Sequence, residues 1–240
     1  MEGRLKMQRI VEHELLDELP PASAEAVSSR ADLRRLNSIL GHAGTLSRLL
    51  CQQLSQNVSN TRTFRLADLG GGDGTFLLRL AHRCASHGLT IEATLVDQQN
   101  IVSPETRSAL AALHCQAESA TADVFQWLEQ TGPGMDAIIA NLFLHHFDDD
   151  SLSALLRLAA ARTKLFIACE PRRSPFALAA SKVVRFLGCN PITRHDAVLS
   201  VRAGFRGQEL SSLWPRGEKW QLSEHRAGLF SHCFMAKMNG

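Results

Sequence analysis

Residues 65–76, RLADLGGGDGTF, constrain the chain more than any other stretch. Leu66, Ala67 and Leu69 form a short apolar run with the length of a buried parallel strand. The run ends in Gly70-Gly71-Gly72-Asp73-Gly74, and Phe76, Leu77, Leu80 and Ala81 follow at helical spacing. Strand, glycine turn and helix in this order predict a turn that admits a nucleotide-like ligand. Glycines let the backbone approach a ligand closely and take φ > 0 without steric cost. A plain tight turn has the same pattern, so the rest of the chain has to identify the ligand.

Upstream, Val11, Leu15, Leu16 and Leu19 predict a helix over 11–19, ended by Pro20 and Pro21. From Ala31 to Leu54 the leucines step by three and four, which predicts one amphipathic helix or a pair broken at Gly41 or Gly44. The polar run 54–63 reads as a linker. Residues 1–61 are thus expected to form a helical appendage, which covers the main domain or pairs with a second subunit as a homodimer.

Residues 62–240 alternate. Thr90–Val96 is strand-like and closes on Asp97; Ser103 and Pro104 start a helix to about Leu113. Cys115–Glu118 predicts a short edge strand and VFQWL a turn of helix. Asp136–Ala140 is a buried strand ending at Asn141, and Asp148–Asp150 begin the next helix at the positive end of its dipole. Lys164–Cys169 is a strand that runs into Glu170 and Pro171. Ser174 and Pro175 start a helix whose stripe Phe176, Ala179, Ala180, Val183, Val184 and Leu187 is closed by Gly188. Residues 190–205 read as irregular, 208–213 as a short helix, and KWQLSEHRAG with SHCFMAKM as a hairpin at the sheet edge. Such alternation predicts an α/β fold with a doubly wound, mostly parallel sheet. Ligands of such sheets sit at the carboxyl ends of the strands. Here those ends are Gly70–Gly74, Asp97, Asn141 and Glu170.

The composition narrows the partners. A net charge of +2 with scattered basic residues gives no electrostatic footprint for nucleic acid. The six cysteines form no C-x-x-C pair, so no metal or redox motif is visible and a reduced, cytoplasmic setting is expected. No signal-peptide core and no spanning apolar run is found, so no membrane partner is expected.

The turn itself excludes some ligands. A dinucleotide fingerprint, G-x-G-x-x-G from Gly70, needs glycine at 75, where Thr75 stands. Asp68, inside the first strand, suits an amine and repels a pyrophosphate. Asp97, about twenty residues past the turn at a strand end, is placed to accept from both ribose hydroxyls. An amino-acid nucleoside without phosphates fits these three facts.

On ADLGGGDG, LVDQQ, TADVFQWL, DAIIANLFLHHFDDD and the closing strand pair, residues 62–240 resemble the class I S-adenosylmethionine-dependent methyltransferases of the small-molecule type. The resemblance implies a Rossmann-like seven-stranded sheet with an antiparallel last strand, and S-adenosyl-L-methionine as cofactor. It implies that Gly70, Gly72 and Gly74 pass under the methionine portion near Asp68, and that Asp97, with Gln98 beside it, binds the ribose. Asp123 would receive the adenine amino group, Val124 would pack on the ring, and Asn141 would line the methionine side. Residues 172–216 resemble a substrate-covering insertion. Asp123 also reads as a simple helix cap.

Methyl transfer to a phenol gains from a general base, and histidine suits neutral pH. His145 and His146 follow Asn141, and His195 stands beside Asp196; each is a candidate catalytic residue and each has a structural reading as a loop or cap residue. The expected reaction is methylation of a small-molecule acceptor, with O-methylation of a phenolic or polyketide-like compound ahead of C-methylation. No Asn/Asp-Pro-Pro-aromatic run follows DAIIA, which argues against nucleobase amines. A nicotinamide oxidoreductase and a non-catalytic binding or assembly module on the same fold are the competing readings. Thr75 counts against the first and the glycines with Asp97 against the second.

Overall fold

The computed structural model describes residues 7–54 and 63–239. The predicted linker at 54–63 lies almost wholly outside them. The sheet has seven strands in the order β3-β2-β1-β4-β5-β7-β6: β1 (Thr63–Leu69), β2 (Thr90–Asp97), β3 (Cys115–Thr121), β4 (Ala137–Asn141), β5 (Leu165–Pro171), β6 (Trp220–Ala227) and β7 (Ser231–Met238). The first five are parallel, while β7 runs antiparallel to β5 and to β6. The hairpin is therefore inserted with β7 inside the sheet, and only β6 lies at the edge. The burial pattern agrees: β7 begins with four consecutive buried residues, whereas β6 is mostly open.

Strand periodicity feeds two cores. Phe166 and Ala168 of β5 point into one layer; Leu165, Ile167 and Cys169 point into the other. The first layer is closed by α6 (Val124–Gln130), α7 (Asp149–Ala160) and α10 (Glu209–Leu213), with Leu128, Leu155, Leu210 and Trp214 fully buried. The second is closed by α3 (His42–Leu54), α4 (Thr75–Ala85) and α5 (Pro104–Ala112). Leu46 and Leu50 of α3 share that core with Leu77 and Leu80 of α4. α3 is thus part of the sheet's packing and not a loosely laid cover. All six cysteines are free and buried, and five of them, Cys51, Cys84, Cys115, Cys169 and Cys233, lie in the second layer. Among the described residues no helix is long and apolar enough to cross a membrane.

Three local readings need correction. The helix expected over 11–19 is reduced to α1 (Leu15–Glu18). Residues 7–14 are instead drawn out along the surface by bonds to distant groups: Arg173 Nε donates to the Met7 carbonyl at 3.0 Å, and Ile10 N to Arg202 O at 3.3 Å. The Asp196 carboxylate then caps α1, accepting from the Leu15 and Leu16 amides at 3.0 Å each. The stretch 190–205 is not irregular but contains α9 (Pro191–Ala203), capped by Asn190, which accepts from Thr193 N at 2.8 Å. Its Asn-Pro start is the usual N-cap and first-turn pair. The helix expected over 176–187 stops early: α8 (Pro175–Lys182) gives way to a 3₁₀ turn at Val184–Leu187 before Gly188. Its apolar face has little protein to pack on, with Phe176 58%, Val183 50% and Phe186 74% exposed. Helical stability in proteins comes mostly from such packing.

The remaining helix, α2 (Ala24–Leu40), is parted from α3 by Gly41, whose φ of 70° ends the first helix. Asp32 of α2, 2% exposed, accepts from the Asn190 amide at 2.7 Å and so ties α2 to α9. Together α1, α2, α8 and α9 form a cover over the carboxyl ends of the parallel strands.

Candidate active site

Between that cover and the strand ends lies a cavity of about 980 Å³. Its floor is the glycine turn. Gly70 N and Gly71 N both donate to Val96 O (2.9 and 3.2 Å), and Gly72 N to Asp97 Oδ2 (2.9 Å), so β2 holds the turn. A side chain at Gly70 is doubly excluded. Its φ is 72°, and an added Cβ would lie 2.4 Å from the ring of Phe143. Gly74 supplies the positive φ that opens α4 and packs on Leu95, Val102 and Thr106, outside the cavity lining.

Asp68 lies at the cavity floor, 2% exposed, and its Oδ2 has no hydrogen-bond partner among the described residues. Burial, reinforced by the Asp97 charge, pushes its carboxyl up to about 8. An unpartnered buried carboxyl facing a cavity is matched by a ligand ammonium. Asp97 uses Oδ2 for Gly72 N and Oδ1 for Gln99 N, each at 2.9 Å. A carboxylate has about four lone-pair sites, so acceptor capacity toward the cavity is left. Gln98 lines the cavity beside it. Asp123 caps α6, its Oδ1 accepting from Phe125 N at 2.9 Å and Gln126 N at 3.1 Å, and it lines the cavity together with the buried Val124. Cap and cavity wall are therefore the same residue.

Asn141 ends β4 in the cavity wall. Its Oδ1 accepts from Nδ1 of the buried His42 at 2.6 Å, and His42 Nε2 in turn accepts from Ser231 Oγ at 2.5 Å. Burial lowers the pKa of His42, which fits a neutral ring donating through Nδ1. His42 was not singled out by the sequence, because its partners lie about 100 and 190 residues away.

After Asn141 the chain turns sharply. Leu142 has φ 54°, a left-handed conformation that is strained for a bulky side chain. It is held there by Leu142 N to Cys169 O at 2.9 Å and by Glu170, whose Oε1 accepts from Phe143 N (3.0 Å) and Leu144 N (2.9 Å). A 3₁₀ turn over Leu144–His146 follows and brings both histidines to the cavity, their rings 4.4 Å apart. Glu170, fully buried at the end of β5, accepts with Oε2 from His145 Nδ1 at 2.7 Å. On the other side of the ring, Nε2 donates to Glu14 Oε1 at 3.3 Å, and that oxygen also accepts from Ser200 Oγ. Burial alone would lower His145, but the hydrogen bonds to Glu14 and Glu170 and their charges outweigh it and raise it to about 9. Glu14 is correspondingly lowered to about 2: its bond to and charge pairing with His145 prevail over burial, aided by His146 and Ser200.

His146 is 27% exposed in its side chain and faces Asp17 Oδ2 at 3.2 Å. His195 is not brought to the cavity; it lies half-exposed on α9 with Nδ1 at 3.1 Å from Asp196 Oδ1, while Asp196 itself lines the cavity. Arg173 is neither solvated nor in the cavity wall. Only 4% exposed, it is a buried clamp between Met7 O, Gly204 O and Glu209. Glu14, His145 and His146 place three potential ligand atoms within 4.8 Å of one another, and the carboxylates of Glu170 and Asp17 stand 2.7 and 3.2 Å from the two rings.

A seven-stranded sheet in the order 3-2-1-4-5-7-6 with β7 reversed, and a glycine turn after β1, is the fold of class I S-adenosylmethionine-dependent methyltransferases. Among solved structures, the chain is similar to the plantazolicin methyltransferase BamL in complex with a triazolic desmethylPZN analogue and SAH (TM-score 0.63, 13% identity, 90% of this chain and 92% of that one). It is also similar to the N,N-8-amino-8-demethyl-D-riboflavin dimethyltransferase of Streptomyces davawensis (0.54, 17%, 95% and 62%). A third is the mitomycin 7-O-methyltransferase (0.50, 17%, 90% and 61%). At these identities the likeness is one of fold. In sequence, 113 residues are 29% identical to the 3-hydroxy-5-methyl-1-naphthoate 3-O-methyltransferase of Streptomyces sahachiroi, covering 47% of this chain and 31% of that protein. The match thus spans about a third of the relative. No family model matches the chain.

Proposed function

We propose that this chain binds S-adenosyl-L-methionine and methylates a small-molecule acceptor, with a phenolic or polyketide-like hydroxyl as the favoured site. The unpartnered, buried Asp68 at the floor of the cavity supports the cofactor reading, since such a carboxyl is matched by a cation such as the methionine ammonium. Gly70 and Gly72 form the cradle beneath it, Asp97 with Gln98 takes the ribose hydroxyls, and Asn141 lines the methionine side. Asp123 and Val124 receive the adenine.

The cofactor, when bound, supplies a methyl group activated on a sulfonium. The protein's part is to position and desolvate the acceptor and manage its proton. The cavity volume of about 980 Å³ leaves room beside a nucleoside for a second drug-sized molecule. Leu36, Ile39, Val184 and Phe186 line it with apolar surface, which favours a planar aromatic acceptor. In its neutral form, once Nε2 has lost its proton, His145 takes the acceptor's hydroxyl proton on that nitrogen. Glu170 holds Nδ1–H, fixes the tautomer and stabilises the imidazolium that forms. Phenols have pKa values of about 10, so removing this proton lowers the barrier. The chemistry needs no second nucleotide-binding half, in accord with Thr75 replacing a dinucleotide glycine.

Calorimetric titration with S-adenosylhomocysteine and separately with NAD tests this reading. Micromolar binding of the first alone is expected, with proton release near pH 7 as the ligand's ammonium forces Asp68 to ionise. Binding of NAD would overturn it, and binding of neither would favour the non-catalytic module. The Asp97→Ala variant is expected to weaken S-adenosylhomocysteine by roughly tenfold or more, since charged hydrogen bonds contribute about 1.5–3 kcal/mol. Unaltered affinity would remove the ribose assignment. Incubation with S-adenosylmethionine and 3-hydroxy-5-methyl-1-naphthoate, the acceptor in the relative's name, then reads methyl transfer by product mass.

A further inference from the structure

Glu14 has no part in the proton transfer proposed for His145 and Glu170 alone. It stands on the extended strap formed by residues 7–14, and Arg9 fastens that strap to the rim of the site. Arg9 donates to Ala203 O (2.8 Å), Phe147 O (2.7 Å) and Asp149 (2.7 Å). Downstream, Asp196 holds the Leu15 and Leu16 amides. With the backbone pinned on both sides, the Glu14 carboxylate is delivered against His145 Nε2 at 3.3 Å. That nitrogen is the one turned away from Glu170, and hence the one an acceptor hydroxyl has to reach.

We infer that Glu14 is a positioning residue that holds the acceptor's place on His145 Nε2, keeping the ring doubly protonated until the acceptor displaces it. The inference rests on the methyltransferase reading of the site. Both oxygens of Glu170 are committed, to Phe143 N, Leu144 N and His145 Nδ1. Glu14, in contrast, reaches the ring through a single oxygen at 3.3 Å, against 2.7 Å for Glu170, and is the carboxylate an acceptor displaces. On release the Nε2 proton passes to solvent, because a buried imidazolium with one carboxylate is less stable than one with two. The neutral Nε2 then accepts the acceptor's hydroxyl proton as the new O–C bond forms and the S–C bond breaks. That returns the imidazolium, the state that Glu14 stabilises when it closes again. The groups facing the ring are Glu170 from β5, Glu14 from the strap, and His146 from its own turn, with Asp17 behind it. Arg9 and His42 act through Glu170.

The test uses histidine-selective NMR titration of the cofactor-free protein, with the His145 resonance assigned from His145→Ala. The wild-type midpoint is expected near pH 9. In Glu14→Gln it is expected to fall by about one pH unit or more, and in Glu14→Asp to recover in part. An unmoved midpoint in Glu14→Gln overturns the inference. With S-adenosylmethionine and the hydroxynaphthoate as probe, the acid limb of kcat/KM in Glu14→Gln moves to lower pH and the acceptor KM at pH 7 falls. A uniform loss of turnover at every pH, with KM unmoved, would mean a merely structural role and also overturns it. If S-adenosylhomocysteine does not bind at all, the proposed function fails. The NMR midpoint still decides whether Glu14 controls His145.

Discussion

Replacing Glu170 with alanine is expected to cost about 3–5 kcal/mol of folding stability, the effect of removing one partner from a buried ionic network. In a domain of this size that is a fall in melting temperature of about 6–20 °C. The carboxylate is fully buried and satisfies three donors, two of them amides of the strained turn after Leu142. Without it those amides are orphaned and His145 keeps only Glu14. Urea and thermal unfolding measure the loss directly; a change under about 1 kcal/mol, a typical single net hydrogen bond, would contradict the network. The pH dependence has a defined sign. His145 is raised from 6.5 to about 9, so its stabilising contribution is complete below pH 6.5 and is lost as pH rises through about 9. Wild-type stability is therefore expected to decline between those values, and the decline to flatten in Glu170→Ala.

Replacing His145 with alanine is expected to lower methyl transfer by about 10²–10⁴-fold, the usual contribution of a positioned general base. S-adenosylhomocysteine is expected still to bind, because the proposed cofactor subsite is the glycine turn with Asp68, Asp97 and Asp123. His146→Ala is the control. Its ring is partly exposed and pairs with Asp17, outside the Glu170–His145–Glu14 line, so a smaller loss is expected. Equal losses in the two variants, or a loss below about threefold in His145→Ala, would remove His145 as the base. Single-turnover measurements at saturating cofactor separate the chemical step from binding.

Much of the parallel sheet was legible because its units are local. Each βα unit carries its strand, its turn and its capping residue within about thirty residues. Ser103, Asp123, Asp148 and Ser174 cap helices where side-chain type and spacing predicted. The α9 helix was legible in principle from Asn190-Pro191, but its apolar pattern is weak because one face meets the cavity and another meets α2 and α8. The stripe on α8 misled in the opposite direction: it is apolar for the cavity and not for a core, so periodicity predicted more helix than packing supports.

The proposed cofactor side of the cavity and the proposed acceptor side divide along the same line. Gly70, Gly72, Asp68, Asp97, Asp123 and Asn141 each sit at a strand end or the turn after it, and parallel pairing alone gathers such ends on one edge of a sheet. Their grouping was therefore implied by the strand–helix alternation. Glu14, His42, Asp196 and the state of His145 were not. One of the two carboxylates that raise His145, Glu14, is 131 residues away on a strap whose own sequence reads as an ordinary surface helix. Short-range pattern determines which elements form and where their ends lie. Which carboxylate reaches which histidine depends on how non-local segments dock, and only the tertiary structure records it.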